Sequence, residues 1–461
     1  MSKHIIIIGG GISGLMAAHR LVESNQDIKV TLLEKGADIK NRVCPIIQGK
    51  VESCISCATC GVMEGLAGAG AFSDGKYIIS TEYGGWLTDF LEPNTVIKYI
   101  EQADAILQTH GATNERYMPN DELKTLCLKY DLHMQQAQVK HLGTDANYQT
   151  MVQMIEGLRN KITLLTRATV TDVDPETKTI TYTQAKQSYQ LTGDAIIFAV
   201  GRAGSSFFSS WCKKHHIPLT NNQVDIGVRV ELPYEVWKHF SEKIYEPKIW
   251  YRSEKYGDRT RMFCFNERGH VVVENTDDIL TVNGHAFKEE DHKTQNSNFA
   301  LLSTIRFTTP FDEPIEYARA IARLGNLISG GSVLVQRFGD LIKGRRTDES
   351  RLLQNSVRPT QKAVAGDLSL CIPKRQLDNI IETINALDKV APGTANADTL
   401  LYGVETKYYS ARPETKDFEL LNTNNIYAIG DGAGFTRSLS QAAAHGLYVA
   451  DKILENKMKT F

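Results

Sequence analysis

Ile5–Ile8 form an unbroken apolar run between His4 and Gly9, as in a strand buried on both faces. Apolar residues then recur at helical spacing over 12–24, and a second apolar strand follows over 28–33. Helical spacing returns over 95–108 and 144–161. Residues 162–191 read as three short strands, with turns at 174–176 and 184–187. A further buried strand covers 194–200 and ends at Gly201. The character changes over 205–400, where strand-like stretches such as VDIGVRVEL, TRMFCFNERGHVVVEN and ILTVNGHAF mix with helices near 314–328 and 374–388. The pattern closes with the strand in NIYAIGDGAG and a helix over 438–455. The expectation is an α/β protein. A Rossmann-like domain with a parallel sheet and a β-meander spans 1–204 and 401–461, and an inserted α+β domain spans 205–400.

The first strand–helix junction carries Gly9, Gly11 and Gly14 in GGGISG, with Ile12 and Ser13 between them. Glycines there let the backbone approach a pyrophosphate held at the helix N-terminus. Glu34, followed by Lys35, ends the second strand, where a carboxylate is placed to bond a ribose hydroxyl. An acid suits an unphosphorylated 2′-hydroxyl and disfavours NADP, leaving FAD or NAD.

Two later segments favour FAD. DAIIFAVGR resembles the strand of two-dinucleotide-type flavoproteins that passes under the cofactor. That resemblance puts Gly201 at the cofactor and backbone groups around Val170 at its adenine. Gly430-Asp431 closes a strand, and a helix begins near Leu439 and Ser440. In glutathione-reductase-like flavoproteins such an aspartate holds the ribityl chain, and the helix N-terminus faces the flavin. No second GxGxxG follows a strand, and Gly330-Gly331 lacks the third glycine. NAD(P)H is therefore expected only as a diffusible electron donor, if it is the donor at all.

Composition narrows the class further. The 461 residues are 42% hydrophobic and 23% charged, with a net charge of −2. This is a globular composition with no broad field for nucleic acid. The basic run Lys343-Gly344-Arg345-Arg346 reads as a solvated loop. No apolar stretch reaches about 18 residues, so no transmembrane helix is expected. The apolar N-terminus reads as the nucleotide strand rather than a secretory signal, and a cytoplasmic location is expected. The oligomeric state stays open.

The chain resembles the family of NAD(FAD)-utilising, or FAD-dependent, dehydrogenases within the glutathione-reductase-like flavoproteins. The resemblance rests on Cys44-Pro45, the cysteines at 54, 57 and 60, GAGAFSDGK at 68–76, HLGTD at 141–145, GVRVE at 227–231, QRFGD at 336–340, GVET at 403–406 and Gly430-Asp431. It implies cofactor contact at Ser73 and Asp74, and a positive charge from Lys76 near the flavin or substrate. One departure is at Cys264-Phe265-Asn266-Glu267, where the family often has Cys-x-Cys-Pro-Gly-Gly. The resemblance names no substrate.

Cys44, Cys54, Cys57 and Cys60 fall within 17 positions. Their spacing suits an iron–sulfur cluster or a zinc ion. A redox disulfide and inert reduced thiols remain alternatives. Arg229, Arg337 and Arg412 are candidates to clamp an anionic substrate, and Glu405 and Tyr408 to serve as acid or base. The expected activity is hydride transfer between flavin and a small organic substrate. A flavin-dependent RNA-modifying enzyme and a non-catalytic flavin sensor are the alternatives.

Overall fold

In the computed structural model, all residues are described except 1, 25, 52–54, 56, 277, 287–289, 309, 312 and 459–461. The chain divides into two compact units. The first comprises residues 1–117, 137–220 and 410–461; the second comprises 118–136 and 221–409.

The first unit is built on a parallel sheet. Strand β1 (Lys3–Ile8) pairs with β2 (Ile28–Glu34) on one side and β4 (Ala195–Phe198) on the other. Strand β3 (Thr163–Thr166) extends the sheet beyond β2, and β5 (Ile426–Ala428) extends it beyond β4. The order β3–β2–β1–β4–β5 is thus parallel throughout, with a short antiparallel hairpin on the β5 edge. Ile5 to Ile8 are all buried, as a strand covered on both faces requires. Helix α1 (Ile12–Glu23) packs beside the closing helix α2 (Leu439–Met458). A three-stranded meander, Thr169–Asp174, Thr179–Gln184 and Gln187–Thr192, leads into β4.

The stretch expected as the first of three strands over 162–191 is in fact two. It breaks at Arg167, which adopts a left-handed φ of +52°. There the backbone leaves the sheet, with Arg167 N–H donating to Gly36 O and Ala168 N–H to Glu34 O.

The second unit centres on an eight-stranded, largely antiparallel sheet. Strand Val224–Pro233 lies between Leu400–Tyr408 and Asn296–Ile305. Helices Pro314–Ile328 and Lys374–Asp388 contribute Ala318, Ile321, Ile380 and Ile384 to its buried core. The expected boundaries at 204/205 and 400/401 are displaced. Helix Ser205–Lys214 belongs to the first unit, and Leu400–Tyr408 is an inner strand of the second. Residues 118–136 also belong to the second unit, through strand Leu132–Met134 on the sheet edge. Polar, short and non-alternating, this excursion carries no pattern that separates it from the helices around it.

Candidate functional site: a dinucleotide cavity

The turn between β1 and α1 opens onto a cleft of about 460 Å³, within the range of small-ligand sites. Gly9 makes the turn possible. Its φ is +110°, and a Cβ there would lie 2.3 Å from Ala199 O. Gly11 differs, because a Cβ on it would meet nothing within 4 Å. The missing side chain at Gly11 leaves space in the cleft, not in the core. Helix α1 starts at Gly11 without a side-chain cap and without an acid in its first turn. Its first N–H groups are therefore available to an anion, with the helix dipole in support.

Glu34 is buried, and its carboxylate organises this end. Oε2 accepts from Gly10 N–H at 2.8 Å, and Oε1 accepts from Gly36 N–H at 2.8 Å and Gly65 N–H at 3.0 Å. Three of about four acceptor positions are thus taken, and one remains on a residue that lines the cleft. Gly65 belongs to a glycine-rich loop along the cleft, and that loop is tied down elsewhere too. Ala67 N–H donates to Gly10 O at 2.8 Å. The Arg42 guanidinium donates to the carbonyls of Gly61, Val62, Leu66 and Gly68. Burial holds that guanidinium down to about 10. Lys35 pairs with Glu64 at 2.6 Å.

The same cleft continues past Val170 and Gly201 to Asp431, Arg437, Ser438 and Leu439. Asp431 Oδ1 accepts from the Thr436 hydroxyl at 2.6 Å, and burial pushes its carboxyl upward against the pull of Arg202 and Arg437. Open space at Gly11, uncapped N–H groups, an acid at one end and Asp431 with a helix start at the other fit an extended dinucleotide such as FAD.

Of the residues read as cofactor contacts, Gly9, Gly11, Ile12, Ser13, Glu34, Lys35, Ser73, Val170, Gly201, Asp431 and Leu439 line this cleft. Gly14, Asp74, Gly430 and Ser440 stand outside the lining. Ser440 Oγ accepts from Ile78 N–H at 2.7 Å, and half-exposed Asp74 lies 3.6 Å from His141 Nε2. Lys76 opens the strand Lys76–Ile79 opposite His141, also away from the lining. Arg202, Phe207 and Arg437 line the cleft without a sequence signal strong enough to single them out.

The candidates in the second unit have other occupations. Arg229 and Glu405 are fully buried and form a bidentate pair, Nε–Oε2 2.9 Å and Nη2–Oε1 2.8 Å. Arg229 also donates to Cys264 O and Asn283 Oδ1 at 2.9 Å each. Neither side chain presents a charge to solvent, which corrects the reading of Arg229 as an anion clamp and Glu405 as an acid or base. Arg337 is spent on Asn355 at 2.7 Å and on Asp398. Tyr408 ends the strand Leu400–Tyr408 opposite Val224. In the first unit, Arg412 pairs with Asp89 at 3.2 Å.

Cys44, Cys57 and Cys60 are free thiols, and Cys54 lies outside the described residues. Among the described residues, no group of three His, Cys, Asp or Glu side chains is placed to hold a metal ion. No described helix is long and apolar enough to cross a membrane.

The fold and the cavity define a Rossmann-like nucleotide domain with a cleft the size of a dinucleotide site. Residues 223–408 match the family of FAD-dependent proteins, C-terminal domain-like, and residues 7–40 match the NAD(P)-binding Rossmann-like domain. A protein of Clostridium beijerinckii, described as uncharacterized, is 24% identical over 473 aligned residues, covering 98% of this chain and 80% of its own length. Among solved structures, the chain is similar to E. coli quinol fumarate reductase (13% identity, 100% of this chain and 71% of that one, TM-score 0.45). It is also similar to glycine oxidase from Geobacillus kaustophilus (9% identity, 98% and 95%, TM-score 0.39).

Proposed function

We propose that the protein passes a hydride between FAD and a small organic substrate at a C–H or C=C bond. The observation that carries this is the continuity of one cleft from Glu34 to Asp431 and the start of α2. Bound there, FAD supplies two-electron chemistry. The chain's own residues would fix it. Glu34 would accept from a ribose hydroxyl, and the first N–H groups of α1 would hold the pyrophosphate. The loop bound by Arg42 and Glu34 would keep water from the nucleotide. We assign the chain to the glutathione-reductase-like group, with NAD(P)H as a diffusible donor.

The test is direct. The purified protein should be yellow, or take up FAD to one equivalent, and NADH or NADPH should bleach it anaerobically. A protein that stays colourless after refolding with FAD would overturn the assignment. A flavin that neither nucleotide reduces would overturn the donor.

A further inference from the structure

One face of the second unit's sheet carries more positive charge than it balances. Trp250 and Arg252 stand two apart on strand Ile249–Arg252, and Arg259 and Arg261 two apart on strand Arg259–Asn266. Side chains two apart share a face, and the antiparallel register sets Arg252 opposite Arg259 and Trp250 opposite Arg261. These four side chains therefore project from the same side of the sheet. Arg306 follows the end of strand Asn296–Ile305, which is the other neighbour of Arg259–Asn266.

Among the described residues, Asp225 is the carboxylate that pairs with this group, and it is already in use. It is buried, holds Arg261 and accepts from the Thr304 hydroxyl at 2.6 Å. Exposed Arg252 and Arg306 meet neutral acceptors, Gly257 O at 2.9 Å and Gln223 Oε1 at 3.3 Å. Half-buried Arg259 lies over the Trp250 indole, 4.6 Å from the ring centroid, and its Nε finds no acceptor among the described residues. Like charges directly opposite on neighbouring strands are destabilising. Burial, with the charges of Arg261, Arg252 and Arg306, holds the Arg259 guanidinium down to about 10 against the pull of Asp225. An anion seated among these side chains would remove the repulsion.

The aromatic ring offers no platform for a base. His133, from the strand on the other side, stacks on Trp250 with ring centroids 3.8 Å apart, while Arg259 lies over the same indole. Recognition at this face is thus left to charge. A net charge of −2 and a ring already covered both count against a nucleic-acid strand.

We propose that Arg252, Arg259 and Arg306 form an anion site on this face for the phosphoryl group of a small phosphate ester. Several neighbouring guanidiniums suit a dianion with three terminal oxygens, whereas a carboxylate is satisfied by a single fork. Trp250 is a positioning residue that holds the plane of Arg259. The site lies wholly within the second unit and stands independently of the flavin reading.

The experiment titrates the whole purified protein calorimetrically with inorganic phosphate, succinate and a short RNA oligonucleotide. Phosphate should bind saturably, and succinate at least about tenfold more weakly. Arg259→Met and Arg252→Met should each weaken phosphate by about tenfold or more, and Arg259→Lys should recover part of the loss. Phosphate should also raise the urea midpoint of the wild-type protein and leave that of Arg252→Met in place. Arg252 is exposed, so its variant decides the matter if Arg259→Met fails to fold. Phosphate held equally well by wild type and Arg252→Met is bound elsewhere, as at the start of α1, and overturns the proposal. So does the absence of phosphate binding, or succinate bound as tightly as phosphate. An RNA oligonucleotide bound more tightly than phosphate, with the same dependence on Arg252, would overturn the small ester as the ligand.

Discussion

Gly9 and Gly11 sit two residues apart in one turn, yet alanine should act differently at each. At Gly9 a methyl group meets Ala199 O in a left-handed backbone conformation. Gly9→Ala should cost about 2–5 kcal/mol of stability, read by urea denaturation. At Gly11 the backbone is extended, with φ −72° and ψ 178°, and the methyl group meets no protein atom. Gly11→Ala should leave the urea midpoint in place and weaken FAD binding about tenfold or more, because the methyl group enters the ligand's space. An unchanged FAD affinity would place the pyrophosphate elsewhere. At Glu34, replacement by Gln sets an amide NH2 against backbone donors now bonded to the carboxylate. That change should cost about 1–3 kcal/mol, again by denaturation, and lower FAD affinity as well.

At the scale of elements, the pair Arg229–Glu405 links neighbouring strands in the core of the second unit. Glu405→Ala should destabilise by about 3–5 kcal/mol, because it leaves a buried guanidinium uncompensated. Combining Arg229→Met with Glu405→Leu should restore most of that stability. A double variant as unstable as the single one would show that the pair does more than satisfy itself. In helix α2, His445 is fully buried, its Nδ1 accepts from Gly430 N–H at 3.1 Å, and burial holds its pKa down to about 3. The unfolded chain takes up this proton near the ordinary value of about 6.5. The folded state therefore binds fewer protons across that window, and stability falls as pH drops from about 6.5 toward 3, by up to about 1.4 kcal/mol per pH unit. His445→Asn should flatten the acid limb of urea midpoint against pH between about pH 6.5 and 5. An unchanged limb would move the acid sensitivity to another group.

The elements were legible where a period ran unbroken. The isoleucine run, the helices near 314–328 and 374–388, and the closing helix all appear close to their expected places. Breaks inside a run were not legible. Arg167 and Arg268 adopt left-handed φ, and no side-chain pattern marks that. The residues of the cleft were legible where their chemistry is backbone chemistry, as at Gly9, Gly11 and Glu34. Candidates outside the cleft were misread where a charged side chain finds its partner far away in sequence. Glu405 reads as a free acid until its strand is seen beside that of Arg229, 176 positions earlier.

At the scale of the whole molecule, ligand binding and stability are linked. FAD at about a thousandfold over its Kd should raise the stability of flavin-depleted protein by about 4 kcal/mol, read as a shift in the thermal midpoint. No shift would separate the cleft from the cofactor. The division into units was visible in outline only. Sequence character changes near residue 205, but strand pairing decides membership, and Leu400–Tyr408 pairs within the second unit's sheet.

The first unit is assembled from three separated stretches of chain, the last of which begins at residue 410. That division sets an order of events during synthesis. Glu34 and α1 emerge from the ribosome well before Asp431, Arg437 and α2. Until that last stretch is made, a nascent chain holds only part of the cleft, with β4 lacking β5 and α1 lacking α2. A ligand that spans both ends of the cleft has its complete site only once the stretch from residue 410 onward has been added.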